Sequence, residues 1–285
     1  MIVFAYISAL LFGLAFVMWL RRLGDDIYSI FHILFNYFFR NSFNRYLLVK
    51  PLNLEYKNFL NGFSYYQNLS EENKNLFEKR VQKFIDIKEF YPQGNLKEVT
   101  SEMRFYVAAS AIQLTFGMPG VYLKHFSRVF LFYDSFYLEG SHGLKKGNVY
   151  KNTGKITLSW KNLKEGSVDE KDGRHVGLHE MAHALRFENL IKNEEYGYFK
   201  WFDVQNLDRI AGLEIDKISN QERTIFAQYD VPDHHEFFAV LVELFFEKSN
   251  ELMKYNAQLY NLTCNLLRQD PMTPNKKYRR RKFIG

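Results

Sequence analysis

The sequence predicts an α+β fold that is mainly helical, with a small sheet, behind an N-terminal transmembrane helix. Three observations carry this prediction. An uncharged apolar run opens the chain, and helical patterns dominate residues 45–117. Two runs rich in β-branched and aromatic residues follow, at Val129–Tyr137 and Val149–Trp160. Two further apolar helical patterns come after these runs, and this order is typical of an α+β domain.

The first element is the run from Ile2 to Leu20, which contains no charged residue. At 1.5 Å per residue, a helix of this length spans about 28 Å, close to the thickness of the hydrocarbon core of a bilayer. Arg21 and Arg22 follow directly, and such residues stay on the cytoplasmic side. We therefore expect residues 1–22 to be an uncleaved, single-pass anchor in the inner (cytoplasmic) membrane, with the body of the protein facing the cytoplasm. The alternative is a buried apolar helix of a soluble domain.

Residues 23–44 form a second apolar segment, which is shorter and more aromatic. Its core, Ile27–Phe39, is too short to span a bilayer and contains His32 and Asn36. The pattern favours a juxtamembrane helix that lies along the membrane interface or covers the body. We interpret His32 as a packed or interfacial histidine and not as a metal ligand.

Residues 45–117 are predicted to be a helical N-terminal part. Ser70, followed by two glutamates, is a typical helix start, and Ser101–Leu114 predicts a second helix that ends near Gly117–Gly120. The two strand runs, with a turn signal at Asn152–Gly154, then begin a domain that extends over residues 118–268.

Residues 269–285 are predicted to be a disordered basic tail. Six of the 38 basic residues of the chain lie between Lys276 and Lys282, and without them 32 basic residues balance 32 acidic ones. The body therefore has no basic excess, and we do not expect nucleic acid as a partner. The tail either adheres to anionic lipids or is a solvated terminus. Cys264 is the single cysteine, which excludes an intrachain disulfide, and we predict that it lies in the core.

The most informative motif is His179-Glu180-x-x-His183, within the sequence VGLHEMAHAL. Residues four apart lie on the same face of a helix, so both histidines can bind one metal ion. Glu180 is rotated by about 100° and can reach a metal-bound water without binding the metal. Two imidazoles and a carboxylate base are what a zinc peptidase requires. The residues alone also permit a buried helix that carries two histidines.

A catalytic zinc site needs a third protein ligand. The best candidate is Glu236, at the start of a second apolar helix, and His234 and His235 are rivals on spacing alone. Glu243 lies two turns after Glu236 and is predicted to brace a ligand histidine. His175 lies two turns, about 12 Å, from His183, so we interpret it as a residue of the helix start or of the site rim.

Residues 147–266 resemble the MtfA (Mlc titration factor A) family of zinc metallopeptidases. The resemblance rests on Gly147–Tyr150 with the Ile156–Trp160 segment that ends in Leu-Ser-Trp, on His179–His183, and on Glu236-Phe-Phe-Ala-Val with Glu243 seven residues later. The last of these motifs is the most particular to the family.

The resemblance implies a zincin-like fold, similar to the catalytic domain of anthrax lethal factor, with an added helical N-terminal part. It implies that His179, His183 and Glu236 bind Zn²⁺ and that Glu180 is the general base. Tyr229, seven residues before the ligand glutamate, is implied to stabilise the oxyanion. Aminopeptidase-like activity on peptide or protein substrates and a transcriptional regulator as partner are further implications.

Two classes of function therefore remain at this point. The first is a membrane-anchored zinc metallopeptidase that faces the cytoplasm. The second is a membrane-tethered binding module that sequesters a transcriptional regulator with little or no peptidase activity.

Overall fold

The computed structural model describes residues 50–118, 120–138, 143–168 and 173–275, all within one compact unit of residues 48–285. The expected anchor at residues 2–20, the juxtamembrane helix of residues 23–44 and the basic cluster of residues 276–282 lie outside these described ranges. Within the ranges, none of the helices has both the length and the apolar character needed to cross a bilayer.

The described chain is mainly helical, with one small sheet and a short strand pair, so the predicted α+β class is confirmed. The helices are α1 Leu54–Leu60, α2 Ser64–Gln67, α3 Glu71–Ile87, α4 Ser101–Thr115, α5 Trp160–Val168, α6 Val176–Glu188, α7 Trp201–Ser219, α8 His234–Glu247, α9 Ser249–Tyr255 and α10 Ala257–Leu267. The strands are β1 Glu89–Pro92, β2 Arg128–Phe132, β3 Phe136–Tyr137, β4 Leu144–Lys145, β5 Gly147–Tyr150 and β6 Lys155–Ser159.

The sheet has the strand order β1-β2-β6-β5. Strands β1, β2 and β6 are parallel, and β5 pairs antiparallel with β6 at the edge. Apolar side chains on one face of the three parallel strands are fully buried or nearly so. They are Phe90, Val129, Leu131, Ile156 and Leu158. Within the described residues, β1 and β5 are the two edge strands of this sheet.

Helices α3 and α4 begin where the sequence predicts them. The Ser70 hydroxyl accepts a hydrogen bond from the backbone N–H of Asn73 and caps α3, and Thr100 caps α4 in the same way. Helix α4 is buried along almost its whole length, because it lies between α3 and α6. Gly177 makes the close approach of α6 possible, since a side chain there would collide with Ser110 and Leu163.

Other parts of the fold are not apparent from sequence patterns. Strand β1 follows α3 after a single residue and pairs with β2, although its four residues include Pro92. The sequence also lacks a pattern that clearly predicts the long helix α7 or the terminal helices α9 and α10. Cys264, in α10, is fully buried as expected.

Candidate metal centre

Helix α6 carries the central motif. His175 caps the helix, because its Nδ1 accepts a hydrogen bond from the backbone N–H of Leu178 at 3.2 Å. The residues Leu178, Met181, Ala182 and Leu185 are completely buried and fix one side of the helix in the core. The opposite side carries His179 and His183, one turn apart. The hydrophobic pattern of the motif therefore determines which way the two imidazoles face.

Helix α8 supplies the third group. Asp233 caps this helix by accepting hydrogen bonds from the backbone N–H groups of His235 and Glu236, at 2.7 and 2.9 Å. Glu236 then lies in the first turn, and every residue from Phe237 to Phe245 is buried. Because α8 packs along α6, the Glu236 carboxylate reaches both histidines.

Three donor atoms converge between α6 and α8. The Nε2 atoms of His179 and His183 are 3.1 Å apart, and Glu236 oxygens lie 3.1 Å from the first and 3.3 Å from the second. Two atoms that are each bound to a tetrahedral zinc ion at 2.0–2.1 Å are separated by about 3.3 Å. One ligand atom from each of the three residues lies within 4.8 Å of the others, so the group has the dimensions of a site for one metal ion.

The protonation of His179 supports the same conclusion. Its Nδ1 lies 2.6 Å from a Glu243 oxygen, and since a carboxylate can only accept, Nδ1 must carry a proton. In a neutral ring, Nε2 then directs a lone pair at Glu236 and His183. This contact is favourable only if a second proton or a cation lies between these groups. Burial lowers the pKa of His179, but the hydrogen bonds to Glu236 and Glu243 outweigh this effect and raise the pKa well above its usual value. A divalent cation satisfies the same three atoms without that proton.

Glu243 holds two parts of α6 at once. One oxygen accepts from His179, and the other accepts from the backbone N–H of His175 at 2.6 Å. The predicted bracing of a ligand histidine by Glu243 is therefore present in the structure. His175 itself is at the helix start as expected, but it is only 2% exposed and does not belong to a rim. Burial lowers the pKa of His175 to about 4, which keeps the ring neutral.

The rivals of Glu236 lie elsewhere. His234 is 3.7 Å from an Asp208 oxygen, and the ring of His235 packs against Phe187 with centroids 5.1 Å apart. Among the described residues, the group that could hold a metal ion consists of His179, His183 and Glu236. The side chains of His179 and Glu236 are 21% and 35% exposed, so the site is open to solvent.

Glu180 lies beside this group and is 6% exposed. It contacts the edge strand at Gly147, where any side chain would overlap the Glu180 carboxyl group. Burial raises the pKa of Glu180, the two histidines lower it, and Glu236 and Glu243 raise it further, so that the net shift is upward. A carboxylate with a raised pKa is a stronger base at neutral pH. Sequence reasoning gave Gly147 no role of its own, because only the packing of β5 on α6 brings it to Glu180.

Tyr229 is placed differently from the other predicted residues. Its hydroxyl is buried against Gly173, close to Lys248, and makes no hydrogen bond with any residue in the described ranges. Burial raises the pKa of Tyr229 to about 12, so the phenol stays protonated at neutral pH. The structure thus does not join Tyr229 to the three donor atoms by a hydrogen bond, and its oxyanion role stays a prediction.

Comparison with known proteins agrees with the site. Residues 40–268 match the model of a family described as glucose-regulated metallo-peptidase M90. The chain is also 25% identical to an uncharacterized protein of Synechocystis sp. over 213 residues, which cover 70% of this chain and 77% of that protein. The match to the family model includes all of the residues that form the site.

Proposed function

Since the chain belongs to the M90 family of glucose-regulated metallopeptidases, the MtfA family, we propose that it hydrolyses peptide bonds with a zinc ion held by His179, His183 and Glu236. The observation that carries the proposal is the convergence of the Nε2 atoms of His179 and His183 with the Glu236 carboxylate, at 3.1–3.3 Å, beside the buried carboxyl group of Glu180. Two neutral imidazoles and one carboxylate are a ligand set that suits zinc and leaves a fourth position open.

The residues of this chain divide the chemistry between them. Zinc in this position would supply a Lewis acid for the peptide carbonyl and would lower the pKa of a water molecule. Glu180 takes the proton of the attacking water and passes it to the leaving amine. Glu243 fixes the ring of His179 and keeps its proton on Nδ1, which leaves Nε2 free for the metal. A direct test is the hydrolysis of peptides by the wild-type protein beside the Glu180→Gln variant, which should be inactive.

Strand β5 offers main-chain hydrogen-bonding groups to the backbone of a substrate peptide. In the described part of the chain this strand has a strand neighbour on one side only, and it lies directly beside Glu180. An extended peptide can add to such an edge by main-chain hydrogen bonds. Hydrolysis of short peptides or of chain ends, as in an aminopeptidase, is implied by the resemblance to the MtfA family.

The role of Tyr229 is tested by the Tyr229→Phe variant. If the hydroxyl donates to the oxyanion, we expect kcat/KM to fall by about 100-fold, which is typical for the loss of one such donor. Zinc content and melting temperature should not change, because the hydroxyl has no hydrogen-bond partner in the described ranges. Wild-type activity in this variant would remove Tyr229 from the mechanism.

We also place the protein in the inner membrane, anchored by residues 2–20 with the peptidase domain in the cytoplasm. The uncharged run and the arginines that follow it support this proposal. The full chain should sediment with membranes and resist extraction at alkaline pH, whereas a chain without residues 1–22 should be found in the soluble fraction. Sedimentation of both forms with membranes would contradict residues 2–20 as the anchor.

A further inference from the structure

Three exposed lysines flank the edge strand β5 in the sequence, beside the candidate active site. Lys145 ends β4, Lys146 directly precedes β5 and Lys151 directly follows it, and no acidic residue lies between positions 144 and 151. None of the three forms an ion pair with another residue in the described ranges. The strand on which a peptide would lie thus has uncompensated positive charge at both ends.

Lys151 is tied to the site by its contacts. Strand β5 packs along α6, with Gly147 beside Glu180 at one end and Lys151 at the other. The Lys151 ammonium lies 5.6 Å from the centre of the Phe187 ring. Phe187 lies one helical turn after His183, and the ring of His235 packs against it with centroids 5.1 Å apart. Lys151 and His235 thus both contact the ring of Phe187, which follows the candidate ligand His183 by one turn.

The positive charge of Arg186, which precedes Phe187 in the sequence, is already neutralised. Arg186 forms an ion pair with Asp208. Its guanidinium lies over the ring of Phe238, 5.8 Å from the ring centre. A substrate carboxylate beside Phe187 would therefore supply the ion-pair partner that Lys151 does not have among the described residues.

We propose that the substrates are acidic peptides, held along β5 with Glu or Asp side chains on Lys151 and on the Lys145–Lys146 pair, and that Lys151 is the specificity-determining residue. This inference rests on the proposed peptidase function and names the substrate class of that site. Lysines on an edge strand can also serve only to prevent pairing with other chains. That role requires no preference for acidic substrates, so the cleavage profile separates the two explanations.

The experiment compares the cleavage profiles of the wild-type protein, Lys151→Glu and Lys155→Glu. Lys155 is a matched control, because its ammonium lies 5.4 Å from the ring of Phe130, in a similar contact on β6. The probe is a peptide library made from a digested cell lysate, and cleaved bonds are identified by mass spectrometry with Glu180→Gln as background. We expect Glu and Asp to be enriched about fivefold within three residues of the scissile bond, the effect of one ion pair at a partly exposed site.

The variants should respond in opposite ways. Lys151→Glu should lose the acidic preference on one side of the bond and gain a preference for Lys and Arg there, whereas Lys155→Glu should keep the wild-type profile. High salt should weaken the wild-type preference, since it screens exposed charges. Cleavage that depends on Glu180 but shows no acidic enrichment, or enrichment that persists in Lys151→Glu, would overturn the inference and leave the peptidase function intact. No Glu180-dependent cleavage at all would overturn both.

Discussion

Replacement of Glu180 by Gln is expected to lower kcat/KM for peptide hydrolysis by at least about 100-fold and up to about 10,000-fold, the range of general acid–base catalysis. The amide has nearly the shape of the carboxyl group, so contact with Gly147 is retained. It cannot accept the proton of the attacking water at neutral pH. Zinc content should stay the same, because the three donor atoms belong to other residues.

The measurement combines a peptidase assay with elemental analysis of the same preparation. Glu165→Gln is a suitable control, since this exposed glutamate in α5 is outside the site. Unchanged hydrolysis in Glu180→Gln would rule out Glu180 as the base. The variant also separates the two classes of function. A binding module that sequesters a regulator should keep its full biological effect without the carboxylate, whereas a peptidase should lose it.

The central motif could be read from sequence because it is local. His179 and His183 lie one helical turn apart, and the apolar residues between them determine which side of α6 faces the core. The helix starts at Ser70 and Thr100–Ser101 are local in the same sense, because a cap involves only three or four residues. For such features, the spacing of residues in the sequence determines which groups lie next to each other.

The choice among Glu236, His234 and His235 could not be made from spacing. Those residues are consecutive in α8, and which of them reaches α6 depends on the rotation of one helix against the other. That rotation is set by the buried residues from Phe237 to Phe245, and by the Asp233 cap that fixes where the helix begins. Strand β1 and the packing of β5 against Glu180 are long-range features of the same kind. The sequence patterns assign no role to Lys151, because its contact with Phe187 joins residues that are distant in the sequence.

Replacement of Glu236 by Ala is the most informative test of the metal centre. Tetrahedral zinc sites need three protein ligands to hold the metal while one position stays open. With two histidines alone, we expect zinc to fall from about one ion per chain to a small fraction after dialysis, and hydrolysis to be lost with it. The fold should persist, because Glu236 is partly exposed and its helix is held by the buried residues that follow.

The matched control is Glu251→Ala, which removes an exposed glutamate from the neighbouring helix α9. It should retain wild-type zinc and activity. A Glu236→Ala protein that still binds one zinc ion tightly would show that the third ligand lies elsewhere, and the convergence of Glu236 with the histidines would then be an ion pair with a protonated His179.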